Sequence, residues 1–170
     1  MSTRSGKGYI MRLTLGFVQR IGVFLTTLAV AIILGSGCGN CGDGVVAGHV
    51  SFMFDGKQYS GTTCIANSFP GGNSTSITCG ADEGEWALML EIPGTATGEF
   101  DEKAGATCSF VKPPFKMYDS EAVTITVSAY GKIGNAVGGT FSGMLVNQLD
   151  STRKPITDGT FTAQRHFNVE

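Results

Sequence analysis

The sequence predicts an all-β domain, an antiparallel β-sandwich of about seven to nine strands, with a small lipocalin-like barrel as the alternative. A hydrophobic signal helix is expected to precede it. Three observations carry this expectation. Apolar residues beyond Gly48 recur at every second position, the period of a half-buried strand. Glycine supplies 25 of the 170 residues without a fixed period, which excludes collagen and points to many turns between short strands. No segment after Gly39 shows a helical period, and only Glu99–Gly105 offers a single helical turn.

The elements follow in order. Val50, Phe52 and Phe54 alternate with His49, Ser51 and Met53, and Asp55-Gly56 then supplies a two-residue hairpin turn. The chain is expected to return through Tyr59, Gly61, Thr63 and Ile65. Phe69-Pro70-Gly71-Gly72-Asn73 centres a second hairpin. Trp86, Leu88, Leu90 and Ile92 alternate with Ala87, Met89 and Glu91 and stop at Pro93-Gly94. Lys112-Pro113-Pro114-Phe115 reads as a short extended crossover. Val123, Ile125 and Val127, interleaved with Thr124, Thr126 and Ser128, form the cleanest strand, since β-branched residues suit a pleated surface. Phe141, Gly143 and Leu145 follow; Phe161, Ala163 and Phe167 close the chain, with Phe141 and Phe161 expected in the core.

Ahead of this domain lies a different composition. Arg4, Lys7, Arg12 and Arg20 stand in a stretch without an acidic residue, and Ile21–Leu34 then runs for fourteen residues without a charge. Such a run is the length of a signal-peptide core and short of the roughly 20 residues a membrane span needs. The chain therefore divides into a signal peptide (1–37), a glycine-rich tether (38–48) and one β-domain (49–170). Met11 offers a more ordinary start for the signal than Met1. From Cys38 onward eight basic side chains face fourteen acidic ones, a balance that repels phosphate backbones and argues against a nucleic-acid partner.

The stretch Leu34-Gly35-Ser36-Gly37-Cys38 resembles the lipobox of bacterial lipoprotein precursors, in which small residues precede a cysteine that receives diacylglycerol and becomes the new N-terminus. Ser36 and Gly37 match the pattern; Gly35 stands where leucine is usual. The resemblance implies a domain held to the membrane through lipid (palmitate among its acyl chains) on Cys38. Gly39, in place of an aspartate, implies an outer-membrane destination. The alternatives are a freely secreted protein in which Cys38 is an ordinary disulfide cysteine, and a protein whose apolar stretch stays as an uncleaved anchor. The ending Gly139–Leu145 with Ile156–Phe161 is similar to the last strands of small envelope lipoproteins of unknown function, which supports the fold and implies no activity.

Export permits disulfides. With Cys38 lipidated, Cys41, Cys64, Cys79 and Cys108 allow three pairings. Cys64 and Cys79 flank the second hairpin almost symmetrically, so Cys64–Cys79 is favoured and Cys41–Cys108 is the remainder. Cys38-Gly-Asn-Cys41 has C-x-x-C spacing but lacks the helix start that would activate a thiol.

No residue set reads as catalytic, cofactor-binding or metal-binding. Ser142 lies near a glycine pair but outside a strand–serine–helix elbow. His49 and His166 fall on polar faces, as neighbours if the first and last strands pair, without a third ligand. Asp82, Glu83 and Glu85 belong to one turn, and Asp101 and Glu102 to another. The expected function is therefore a non-enzymatic envelope role, structural or binding, with an envelope protein, a glycan or an apolar ligand as partner. Binding predicts a flat or concave exposed apolar patch; a lipocalin-like ligand site predicts an interior lined by Trp86 and the phenylalanines. The competing expectation is a small secreted hydrolase or carbohydrate-active domain using Glu99, Asp101 or Glu121, with two carboxylates facing across a cleft.

Mass analysis of the mature N-terminus is expected to show a diacylglyceryl cysteine at position 38 that disappears in Cys38→Ser. An unmodified wild-type N-terminus would make the domain freely secreted.

Overall fold

The computed structural model describes residues 48–69, 73–81, 84–114 and 116–168, with side chains to His166. The signal peptide, nearly all of the tether, Cys38, Cys41, Asp82 and Glu83 lie outside the described residues.

Ten strands and no helix make up the described part: β1 (His49–Phe54), β2 (Lys57–Gly61), β3 (Thr63–Phe69), β4 (Ser74–Gly80), β5 (Ala87–Pro93), β6 (Gly98–Asp101), β7 (Thr107–Lys112), β8 (Lys116–Tyr130), β9 (Ala136–Asn147) and β10 (Arg153–Asn168). The fold is all-β, as the alternation predicts. Val50, Phe52 and Phe54, the Trp86–Ile92 set and Val123, Ile125 and Val127 all point into the core, together with Phe141 and Phe161. The Asp55-Gly56 turn has positive φ at both residues, 52° and 73°, the geometry that matches the twist of the flanking strands.

Two local expectations are corrected. The chain does not return in one phase after β2, because a bend at Thr62 reverses the alternation. Cys64, Ala66 and Ser68 face inward, and Thr63 is exposed. The helical turn expected at Glu99–Gly105 is instead strand β6 followed by a tight turn in which Ala106 N–H bonds Asp101 O at 2.9 Å. The prolines after Lys112 sit in the β7–β8 turn, across which Lys112 opposes Lys116.

All ten strands belong to one sheet. Its pairing runs from β10 to β3, β4, β5, β7, β8 and β9, and back to β10, so these strands form a hydrogen-bonded ring. Every pairing is antiparallel except the one between β10 and β3. The β1–β2 hairpin extends from the first half of β10, and β6 from the second half of β8. Two of the three long strands pass through bulges, at 120/122 and 127/129 in β8 and at 156/159 in β10, which bend and twist the ladder against β9.

Glycine contributes inside the strands as well as in turns. A Cβ on Gly143 would overlap the Ala122 carbonyl, and one on Gly159 would overlap the Phe141 carbonyl. Side chains there would hold β9 away from its neighbours and oppose the curvature.

Aromatic rings fill one end of the enclosed space. Phe52 stacks on Tyr59 at 5.3 Å and meets Trp86 and Phe110 edge-on at 5.4 and 5.5 Å. Phe54 lies 4.7 Å from Phe110 and 4.9 Å from Tyr118. Offset and edge-to-face contacts of this kind add to what burial alone contributes.

The favoured disulfide is present: Cys64 and Cys79 are direct partners across β3 and β4, with Cα atoms 4.2 Å apart. Cys108, the expected partner of Cys41, is corrected to a free thiol with 0 % exposure. Its position on β7 turns it into the core between Leu90 and Phe110, so pairing would have to pull a core side chain outward. Burial, with the negative charge of Asp119 adding to it, pushes the Cys108 pKa far up and keeps the thiol protonated.

Non-reducing peptide mapping is expected to recover the Cys64–Cys79 link, and alkylating reagents are expected to reach Cys108 only after unfolding. Removing the link by Cys64→Ala with Cys79→Ala should cost about 3 kcal/mol in urea melts, the loop-closure value for this separation of 15 residues. Rapid labelling of Cys108 in the native chain would contradict its placement.

Candidate binding face

Core alternation on one side of a strand decides what the other side presents. Because Val123, Ile125 and Val127 point inward, β8 turns Thr124 and Thr126 outward. Phe141 does the same for Thr140 and Ser142 on β9. On β10 the bulge between Ile156 and Gly159 interrupts the alternation and presents Thr157, Asp158 and Thr160 together. Asp158 sits at φ 53°, a left-handed conformation that aspartate tolerates, and its carboxylate accepts a bond from Thr157 Oγ1 at 3.1 Å.

Register lines these residues up. Glu99, Thr126, Thr140, Thr160, Ser51 and Ser60 occupy successive strands in one row across β6, β8, β9, β10, β1 and β2. A second row holds Asp101, Thr124 and Ser142 and ends against the Thr157–Asp158 bulge. Neighbouring hydroxyls within a row are about 4.8 Å apart at the backbone, and the rows about 7 Å apart. Together they line an open groove of about 520 Å³ whose lining includes Thr124, Thr140, Ser142, Asp158 and Thr160. Among the described residues the lining holds one carboxylate and no basic group, and Glu99 and Asp101 stand at its margin.

The acidic residues singled out from sequence separate here. Glu99 and Asp101 share the outer face of one short strand and do not oppose each other. Asp101 Oδ1 is engaged by Ala104 N–H at 2.8 Å, closing the turn after β6. Glu102, its neighbour, accepts a bond from Val123 N–H at 3.3 Å. Glu121 is the extra residue of the first β8 bulge and forms a two-pronged pair with Arg153, with both contacts at 2.7 Å. That bonding, together with the guanidinium charge, holds the Glu121 carboxyl below its ordinary value.

The histidines are not brought together either. β1 and β10 do pair, but His49 opposes Thr162, and His166 lies four residues further along β10, about 13 Å away by strand rise. Ser142 is an exposed strand residue of the groove. The exposed apolar patch that an apolar-contact binding role predicts is not found among the described residues, which counts against that form of binding. The exposed large apolar side chains among the described residues are Ile133 and Leu149, in turns at opposite ends of β9.

Sequence reasoning did not find the hydroxyl rows. Thr-x-Thr at 124–126 and Thr-x-Ser at 140–142 were visible, but only as a preference for strand; strand order and register make them one surface. Comparison with protein-family models, curated proteins and solved structures finds no match to this chain.

Because the folded-state pKa of Glu121 is lowered, what its pair contributes is present above the unfolded carboxyl value and lost as pH falls through the folded one. In Arg153→Ala the Glu121 midpoint should rise toward the ordinary range, followed by carboxyl-carbon NMR titration. An unmoved midpoint would rule out the pairing in solution.

Proposed function

We propose that this chain is an exported, non-enzymatic domain of the cell envelope, held to the membrane by lipid on Cys38, that binds a glycan on the outer face of β8, β9 and β10. The observation that carries the binding part is the register that sets Thr126, Thr140 and Thr160 in one row above the groove. A hydroxyl both donates and accepts, so an ordered field of them suits a ligand that is itself rich in hydroxyls and uncharged. The export part rests on the leader, the lipobox-like stretch and a disulfide compatible with an oxidising compartment.

Of the two architectures considered, the closed ring of pairings favours a barrel over a sandwich of separate sheets. The apolar-ligand reading has less support, because Trp86, Phe52, Phe54 and Phe110 pack on one another inside the ring. The hydrolase reading has less support too, because Glu121 is engaged by Arg153 and Glu99 lies beside Asp101 on one strand.

NMR titration with a neutral N-acetylglucosamine disaccharide and with a neutral glucan oligosaccharide tests the proposed binding face. Amide shifts are expected to cluster at Thr126, Thr140 and Thr160. Thr140→Val, which keeps the β-branched shape and removes the hydroxyl, should weaken binding by up to about tenfold, roughly one hydrogen bond. Shifts confined to other strands, or none with either sugar, would overturn the glycan reading.

A further inference from the structure

The end of the ring away from the aromatic cluster is closed by polar side chains. Ser68 ends β3 on its inner face, Thr75 begins β4, Tyr130 ends β8 and Arg165 lies near the end of β10. Ser68 and Thr75 are 1 % and 0 % exposed. Thr75 Oγ1 donates to the Gly94 carbonyl at 2.9 Å and lies 2.6 Å from Tyr130 Oη. Ser68 Oγ lies 3.1 Å from Tyr130 Oη and accepts from Arg165 Nε at 2.9 Å. Arg165 also donates to the Gly131 carbonyl at 3.1 Å, with its guanidinium 5.1 Å from the centre of the Tyr130 ring.

These contacts have one consistent direction. A carbonyl only accepts, so the single Thr75 hydroxyl proton goes to Gly94. Tyr130 must then donate to Thr75, which leaves Ser68 as the donor to Tyr130. Arg165 Nε only donates, and it completes the chain at Ser68. Every proton from Arg165 through Ser68, Tyr130 and Thr75 to Gly94 is therefore assigned, and the bonds polarise one another in sequence.

The chain spans the one parallel join in the ring, where the register is also interrupted. β10 meets β3 in parallel at Gln164–Ile65 and Arg165–Ala66, and the register then breaks before Asn168–Ser68. Asn67, on β3 within this join, has a buried Oδ1 with no hydrogen-bond partner, so exposing it to water would relieve rather than cost. We propose that the β3–β10 seam is where the ring opens, and that the directed chain from Arg165 to Gly94 is the strap that keeps it shut. Breaking the strap at Tyr130 removes the acceptor of Ser68 and the donor to Thr75 while leaving the ring in place.

Native-state hydrogen exchange on the full chain tests this. In Tyr130→Phe, amides of Ile65–Ser68 and Gln164–Arg165 should lose about tenfold or more of their protection, while those of Leu88, Leu90, Thr124 and Thr126 keep theirs. Ser68→Ala, which removes the Arg165 contact across the seam as well as the bond to Tyr130, should give the same pattern with at least as large a loss, and it serves if Tyr130→Phe does not fold. The double variant should lose little more than Ser68→Ala, because both cut one chain. Equal loss at all amides, unchanged seam amides or strictly additive losses would each overturn the strap.

Discussion

Everything in this fold depends on the sheet meeting itself. An open sheet of ten strands would leave two edges and expose one side of the alternating apolar residues to water. Joining β10 to β3 turns Val50, Phe52, Leu88, Leu90, Ile125 and Phe161 toward one enclosed space. β10 makes this possible because its sixteen residues serve β1 first and β3 later on the same edge, with β9 on the other. β8 does the same for β7 and β6. The bulges and in-strand glycines are the local means by which these strands bend without losing their ladders.

What was legible in the sequence was what one strand can reveal alone. The alternation in Trp86–Ile92 and Val123–Val127 named the buried side correctly, and the near-symmetric placing of Cys64 and Cys79 about a turn named their link. Failures came where a second strand decides. The phase reversal at Thr62 was invisible because Thr63 and Ile65 continue the pattern as written; only burial of Cys64 and Ala66 against the rest of the ring selects the other face. Glu99–Asp101 lacks a strong strand pattern by itself and becomes a strand by pairing with Thr124–Val127. Cys108 was paired by elimination, an inference that ignores which way β7 faces.

The hydroxyl face was legible least of all. Threonine at an exposed strand position needs no functional explanation, because its branched shape already suits the pleat. A row of hydroxyls across five strands arises only from register, and register rests on turn geometry and on bulges away from the row itself. The bulge between Ile156 and Gly159 shows the dependence well: had these residues kept strict alternation from Ile156, Thr160 would face the core, and the row would be broken at β10.

The two ends of the ring are held by different physics, and this bears on how the domain can move. Aromatic contacts at one end are many, non-directional and tolerant of small shifts, so losing one leaves neighbours to fill in. The polar end has few contacts, each with a fixed direction, so that a single missing proton affects all of them. On the proposed strap, local opening would begin at the polar end, along the parallel seam. β1 lies beside the same edge of β10 and contributes Ser51 to the hydroxyl row, so opening at the seam would reach that row through β10. The constraint that closes the sheet also sets which part of its surface is free to adjust.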